Sequence, residues 1–447
     1  MQEDSKIAII GAGVSGLAAA VWLAQHGFRN LTLFEARREA GGRTRSYVDP
    51  TTGDTLDNGQ HLMMGCYRST LEYLRKIDSD SLLRRAPLFI RFHEAGRKTP
   101  ATLQLPPRSK PPVTLLAGLW NSRLLTMGEK IAATWLGLAT DASSAKNSEG
   151  MTCAALFRKL HQPAGLVKKL WAPIVLATIN APVEEASAVL FINVLREAFL
   201  SGREASDLLL PSSGLSELLI DPAIRMLEKN GATILLSSPV RAIEKNGTAI
   251  QIITDSSVKD FDAVIYCGQS FDSLPQEVRS SLPTFEYSPI VNAYFWLDRP
   301  VLRGPIHGFI GTTLQWVFPW PSNYAAERLA LTVSASDALA ERTNEEIRHI
   351  LWTDLCTSLP AAREARLMHY QIIREKRATP LLTPSIQQSR PQAATTIPGL
   401  FLGGDFIQNG LPATIEGAVR NGFSAAAMLL QGLEHQSKNP LQPIHAV

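Results

Sequence analysis

The chain has 447 residues, of which 45% are apolar and 19% charged, and its formal net charge is +3. That length suits two or three domains with sizeable cores, and the composition excludes a disordered chain. So small a charge gives no electrostatic footprint for nucleic acid, and four scattered cysteines without a CxxC pair offer neither a disulfide frame nor a zinc site. The opening residues Glu3, Asp4 and Ser5 carry no basic, apolar leader, and no uninterrupted apolar run reaches the ~18 residues of a membrane span. A cytoplasmic protein is expected, with attachment at the inner membrane face left open.

Residues 7–16 read IAIIGAGVSG. Ile7 to Ile10 suit a buried parallel strand and Leu17 to Gln25 a helix, with Gly11, Gly13 and Gly16 at the junction. This is the pattern of a turn that lets a diphosphate approach the backbone and the free N–H groups of a helix N-terminus. A second apolar run, Leu31 to Phe34, ends in Glu35, placed to bond a ribose hydroxyl about 20 residues on. The following loop carries Gly41, Gly42 and Arg43, where the backbone can approach a flat or phosphate group and a guanidinium can neutralise it.

Residues 71–200 read as largely helical and apolar, with 97–113 as a loop and 113–139 at helical spacing. Strand-like runs return over 207–270 (ATILLSS, AIQIIT, FDAVIYCG). Strands and helices alternate over 285–380, with a helix near 344–358. A strand and a helix close the chain over 398–430. The phosphate-binding elements thus lie at the two ends. The organisation expected is a nucleotide-binding domain from 1–70, 206–270 and 386–435, a substrate domain from 71–205 and 271–385, and a tail at 436–447.

The order GxGxxG, Glu35, GGR, then Pro239-Val240-Arg241 and finally Gly404-Asp405 before a helix near Ala413 or Thr414 resembles the flavoprotein amine oxidase and phytoene desaturase superfamily. The narrower segments LDNGQHLMMGCY (56–67), WAPIVLATINAPVEEASA (171–188), EKRAT (375–379) and LPATIEGA (411–418) resemble its branch of hydroxysqualene dehydroxylases, or squalene-associated FAD-dependent desaturases. Asn421-Gly422 and Gly403-Gly404-Asp405 stand where that branch more often has Ser-Gly and Ala-Gly-Asp. The resemblance implies FAD in an α/β, Rossmann-like domain of the glutathione-reductase type, with an inserted α+β substrate domain. It implies a cradle of Gly11, Gly13, Ser15, Gly16, Glu35, Ala36, Gly42, Arg43, Gly59, Gln60, Val240, Gly404, Asp405, Pro412, Ala413 and Thr414.

It further implies reductive loss of the allylic hydroxyl of hydroxysqualene, giving squalene, with a reductant for FAD that the sequence does not name. Such a site needs an acid, hydride alignment and a dry apolar tunnel. The catalytic candidates are His61, Gln60 and Glu416. His61 can equally be a structural imidazole bonded to backbone, and Glu416 a first-turn carboxylate serving the helix dipole. Asp57 is expected to fix its loop through backbone N–H groups. Arg377 pairs with Glu375, with another carboxylate, with the flavin or across the domains. Trp171, Asn180, Trp316 and Phe318 line the substrate cavity or are simply core. The helices of 113–139, with Arg123 and Lys130 beside them, bind a membrane surface or pack on the substrate domain. No metal site is expected. A carotenoid-type desaturase or an amine oxidase is the alternative, and Asn409-Gly410-Leu411-Pro412, lacking an aromatic, weakens the latter. A flavin-free prenyl-binding module would have no use for Gly11, Gly13, Gly16, Glu35, Arg43 and Asp405.

Overall fold

The first strand, Ile7–Ile10, is apolar throughout because it lies in the middle of a sheet covered on both faces; Ile7, Ala8 and Ile9 are completely buried. The structure is a computed structural model and describes residues 4–94, 97, 99–105, 113–140, 142–202 and 204–438. Its parallel sheet runs in the order Thr233–Leu235, Leu31–Phe34, Ile7–Ile10, Ala263–Tyr266, Leu400–Leu402. This is the Rossmann-like core, gathered from distant parts of the chain. Its first helix, Val14–Gln25, packs on the last, Ile415–Lys438. A methyl at Gly422 would stand 2.2 Å from the carbonyl oxygen of Ser15, and one at Gly16 1.9 Å from that of Gly11, so only glycine allows this approach.

The second large sheet has seven strands, in the order Leu367–Pro380, Tyr287–Leu297, Glu327–Ser334, Trp316–Trp320, His307–Ile310, Phe89–Glu94, Ala101–Gln104. The pairing is antiparallel except between His307–Ile310 and Phe89–Glu94. Strand alternation divides its residues. Val291, Ala293, Phe295 and Leu297 face Ile347, Leu351 and Leu355 of the helix Asn344–Ser358, which falls where the sequence places it and starts on a Thr343–Glu346 capping box. Tyr294, Trp296, Trp316 and Phe318 face a layer of helices built from residues 113–199.

Residues 71–200 are less helical than expected. Leu83–Ala86, Phe89–Glu94 and Ala101–Gln104 are strands, the last inside the stretch read as a loop. Their partners, Leu208–Pro211 and His307–Ile310, lie far along the chain. Short runs of this kind are stabilised by long-range pairing, which local periodicity does not register. Most of the expected tail, 439–447, lies outside the described residues.

The parallel pair holds two buried histidines. His93 Nε2 and His307 Nδ1 are 2.9 Å apart, and Phe309 stacks on His93. Burial pushes His93 down to about 4 and His307 to about 3, each also opposed by neighbouring positive charge. Unfolded imidazoles take up protons near pH 6.5, before either buried ring does, so this contribution to stability is complete above that pH and is lost as pH falls toward 4. The thermal midpoint should drop between pH 7 and 4.5. A His93→Gln/His307→Asn variant should start lower at pH 7.5 but lose less over the same interval. Parallel curves for the two proteins would refute the assignment.

Candidate functional site

At the C-terminal edge of the parallel sheet the helix Val14–Gln25 begins on Gly13 with no side-chain cap and no acidic residue in its first turn. Its leading N–H groups and positive dipole end are therefore available to an anion. A Cβ on Gly13 would have no protein atom within 4 Å, whereas one on Gly11 or Gly16 would run into backbone. Gly13 thus marks the open face of the turn. Gly41, in the left-handed region at φ +103°, donates its N–H to Ala12 O and brings Gly42 and Arg43 alongside. This cradle fits the diphosphate of a dinucleotide.

Glu35 is buried at one end of the cradle. Its Oε2 accepts from Ala12 N at 2.9 Å and its Oε1 from Arg37 N at 3.0 Å. Ser237 and Ser238 donate their N–H groups to Arg37 O and Glu35 O, setting Val240 beside Glu35 and the exposed Ala36. At the other end Ser15 Oγ accepts from Gly404 N at 2.9 Å, and Arg43 Nη1 lies 2.8 Å from Asp405 Oδ2. Burial opposes the Arg43 charge, but Asp405 and Glu375 outweigh it and hold its pKa above the ordinary value. Thr414 Oγ1 accepts from Gly417 N, capping the last helix directly after Pro412 and Ala413.

The loop of Gly59, Gln60 and His61 is pressed against the seven-stranded sheet. A Cβ on Gly59 would lie 2.8 Å from Asn292 Nδ2. Tyr294 OH donates to Asp57 O at 2.9 Å, and Asn58 Nδ2 to Glu375 Oε2 at 3.2 Å. Asp57 Oδ1 accepts from Leu215 N and from Ser46 Oγ, so it ties the loop as expected. His61 Nδ1 donates to Gly59 O at 2.7 Å, which leaves Nε2 as the acceptor of a neutral ring. Burial lowers its pKa and Arg43 adds to this, against the opposing pull of Gly59 O and Asp57. The ring is thus bonded to backbone, as one of its two readings has it.

Glu416 lies in the first turn of the last helix but serves another one. Its Oε1 accepts from Ser69 N and pairs with Arg420, and its Oε2 accepts from Thr70 N and Thr70 Oγ1. The buried side chain thus caps the helix Arg68–Lys76 from outside. Asn180, in the left-handed conformation, ends the helix Ala172–Ile179. It donates to Ser288 O and Thr379 Oγ1 and accepts from Ala335 N, so it is a joint between helix and sheet. Arg377 donates to Gln269 O and lies 4.3 Å over the Tyr287 ring; its side chain makes no pair with Glu375. Trp171, Trp316 and Phe318 belong to one apolar body that reaches Leu62 and Ala413 at the cradle. Trp171 also donates Nε1–H to Gln162 and packs edge-on against Phe191.

Sequence reasoning missed Arg390. Its buried guanidinium donates to the carbonyls of Asp405, Phe406, Ile407 and Leu411 and to Gln387, holding the whole segment after Gly404; burial pushes its pKa down to about 10. It stands in the polar stretch QQSRPQ, where nothing signals burial. Asn292 was missed as well, inside a run that reads only as strand.

Among curated proteins the chain is similar to a hydroxysqualene dehydroxylase of Sinorhizobium fredii, 34% identical, covering 94% of this chain and 97% of that one. It is 32% identical to a hydroxysqualene dehydroxylase of Rhodopseudomonas palustris over the same shares. Among solved structures it shares the fold of the cyclohexylamine oxidase of Brevibacterium oxydans, with a TM-score of 0.70 and 15% identity over 96% of this chain and all of that one.

The cradle predicts two different outcomes for adding one methyl group. Gly13→Ala should fold as the wild type does and bind FAD at least about tenfold more weakly, read from flavin absorbance per protein and from unfolding of the cofactor-free form. Gly16→Ala should lose folded protein first. Full flavin content in Gly13→Ala would refute the placement. The model of the flavin containing amine oxidoreductase family matches residues 14–430, FAD is the dinucleotide this cradle takes, and the chain belongs to that family.

Proposed function

We propose that this chain is an FAD-dependent oxidoreductase that removes the hydroxyl of hydroxysqualene to give squalene. The observation that carries the reading is the junction at Leu62 and Ala413, where one apolar, aromatic-rich body meets the Gly59–His61 loop and the capped last helix. The names of the relatives at 34% and 32% identity support it. In the overall change the allylic C–O bond breaks, a hydride forms the new C–H bond, and the hydroxyl leaves as water with the one proton that a fully reduced flavin releases on its oxidation. When bound in its reduced form FAD supplies that hydride, and a flavin reductant must restore it.

The chain's own residues prepare the reactants. His61 Nε2 accepts a hydrogen bond from the substrate hydroxyl and fixes its direction. The Gln60 amide donates to the same oxygen as it departs. Asn292, Tyr294, Asp57 and Glu375 hold this loop still, which keeps the reacting atoms aligned. Trp316 and Phe318 exclude the water that would trap a delocalised cation, and an aromatic face stabilises such a cation by about 0.5–2 kcal/mol. The proposed substrate has no aqueous route, so delivery from a lipid phase is part of the reading.

The test is an anaerobic single turnover of the photoreduced protein with hydroxysqualene in detergent. Squalene should appear with one flavin reoxidised per molecule. Flavin that stays reduced, with substrate intact, would overturn the assignment; reduction of oxidised flavin by a polyene would instead establish a desaturase. His61→Ala should keep its FAD and lose about 10²–10⁴-fold in kcat/KM. Because the ring works neutral, the wild-type rate should hold from pH 7 upward and fall as pH drops below the ordinary imidazole range near 6.5. A rate that falls as pH rises through 7 would mean that His61 is a proton donor after all.

A further inference from the structure

The helix Met127–Leu138 is apolar on two opposite sides. Ala133 and Leu136 are buried on the inner one. Met127, Ile131, Trp135 and Leu138 recur at i, i+4, i+8 and i+11 and so share the outer one. They are 60%, 47%, 68% and 59% exposed. Trp120, at the end of the helix Val113–Asn121, extends the strip: its Nε1–H donates to Thr134 Oγ1 at 3.3 Å. Other exposed large apolar side chains of the described residues, such as Val48, Val258 and Met428, come one at a time from separate elements. A contiguous outward strip of this kind marks an interaction surface.

The strip is held rigidly. Thr126 and Glu129 form a capping box at the start of the helix, and Lys169 Nζ reaches Glu129 Oε1 at 2.9 Å. That pairing also removes the one acidic residue between positions 113 and 140 from the surface. The charged side chains described around the strip are mainly cationic, with Glu94 Oε2 lying 4.0 Å from Arg97 Nη1. Arg123 and Lys146 are exposed, Arg97 Nη2 donates to Arg123 O at 3.2 Å, and Lys130 Nζ donates to Trp120 O at 2.7 Å. Tryptophan and aliphatic side chains in one plane with a basic rim match an anionic bilayer surface, where lipid tails take the former and headgroups the latter. Among the described residues no helix is long and apolar enough to cross a membrane, so the match is to its surface.

Beneath the strip lies an almost wholly apolar pocket lined by Leu119, Gly137, Thr140, Trp171, Leu195 and Phe199. Gly137 lies in the last turn of the outward helix and Thr140 just past its end. Trp171 and Leu195 belong to the apolar body that reaches Ala413. We propose that residues 120–138 dock this protein on an anionic lipid bilayer, oriented so that the apolar body beneath takes up an isoprenoid chain directly from the membrane. The cargo rests on the dehydroxylase reading; the docking does not.

The test uses the full chain. The wild type should float with mixed phosphatidylcholine–phosphatidylglycerol vesicles, float less with phosphatidylcholine alone, and be weakened by salt. Ile131→Glu/Trp135→Glu alters only exposed positions, so its thermal midpoint should be unchanged while flotation falls about tenfold or more. With hydroxysqualene in vesicles its turnover should fall comparably, and with hydroxysqualene in detergent it should match the wild type. A wild type that never floats, or a variant that floats equally, would overturn the proposal. So would a variant that loses turnover equally in detergent, or one whose only change is from dimer to monomer in sedimentation, which would assign the strip to a second copy of the chain. If neither protein makes squalene in detergent, the reaction is misassigned and flotation still judges the docking.

Discussion

Ser15 and Gly404 are 389 residues apart in sequence and 2.9 Å apart in space. That hydrogen bond, with the Arg43–Asp405 ion pair beside it, closes the chain's two ends over the cofactor cradle. Each half is incomplete alone. The N-terminal turn provides a helix dipole and a bare backbone approach. The C-terminal segment provides the carboxylate of Asp405 that fixes Arg43 and, at Thr414, the capped start of the last helix. Arg43 is partly buried, so without Asp405 it would carry an uncompensated charge into a restricted space, which is costly. Arg390 works on the same segment from behind, tying four of its carbonyls to one planar group whose fork geometry a lysine could not reproduce.

From the cradle the architecture extends by polarity. The loop of Gly59 to His61 is gripped on one side by polar groups from the seven-stranded sheet, and on the other it meets an apolar body. Alternation along Trp316–Trp320 directs Trp316 and Phe318 into that body and Val317 into a separate core. One sheet thereby braces the reactive loop and walls the apolar cavity at once. The electrostatics follow from the same crowding. His61 is partly buried near Arg43 and Asp57, and desolvation, the largest influence on it, holds its pKa below that of a free imidazole and favours the neutral acceptor.

Much of this was legible before any coordinates. The glycines at 11, 13 and 16, Glu35, Gly42-Arg43 and Gly404-Asp405 have few other reasons to occur in that order, and the helix Asn344–Ser358 falls where the sequence places one. What escaped was what depends on distant partners. Ala101–Gln104 is a strand because Phe89–Glu94 and, beyond it, His307–Ile310 offer it an edge. Glu416 looks like a first-turn carboxylate, yet besides its pair with Arg420 it bonds another helix's first turn. Asn180 looks like a polar group in an apolar tunnel, yet it is a hinge pin between three segments. Arg390 and Asn292 are single polar residues whose importance comes entirely from what folds around them. The outward strip of Met127, Ile131, Trp135 and Leu138 was half legible: its spacing showed a helix, but only packing decides which of two apolar faces stays outside.

The close approach of Gly422 to Ser15, Ala18 and Ala19 has a consequence for how the protein is made. The first helix cannot bury its small-residue face until the last helix exists. At roughly 5–20 residues per second, a ribosome needs on the order of 20–80 seconds to travel from one to the other. Through that interval the nascent chain carries an unfinished parallel sheet, open at the edge that Ala263–Tyr266 and Leu400–Leu402 will later fill. Such a chain is a natural client for a holdase during its synthesis, and a premature stop even shortly before residue 415 would release not a shortened enzyme but an unfolded one.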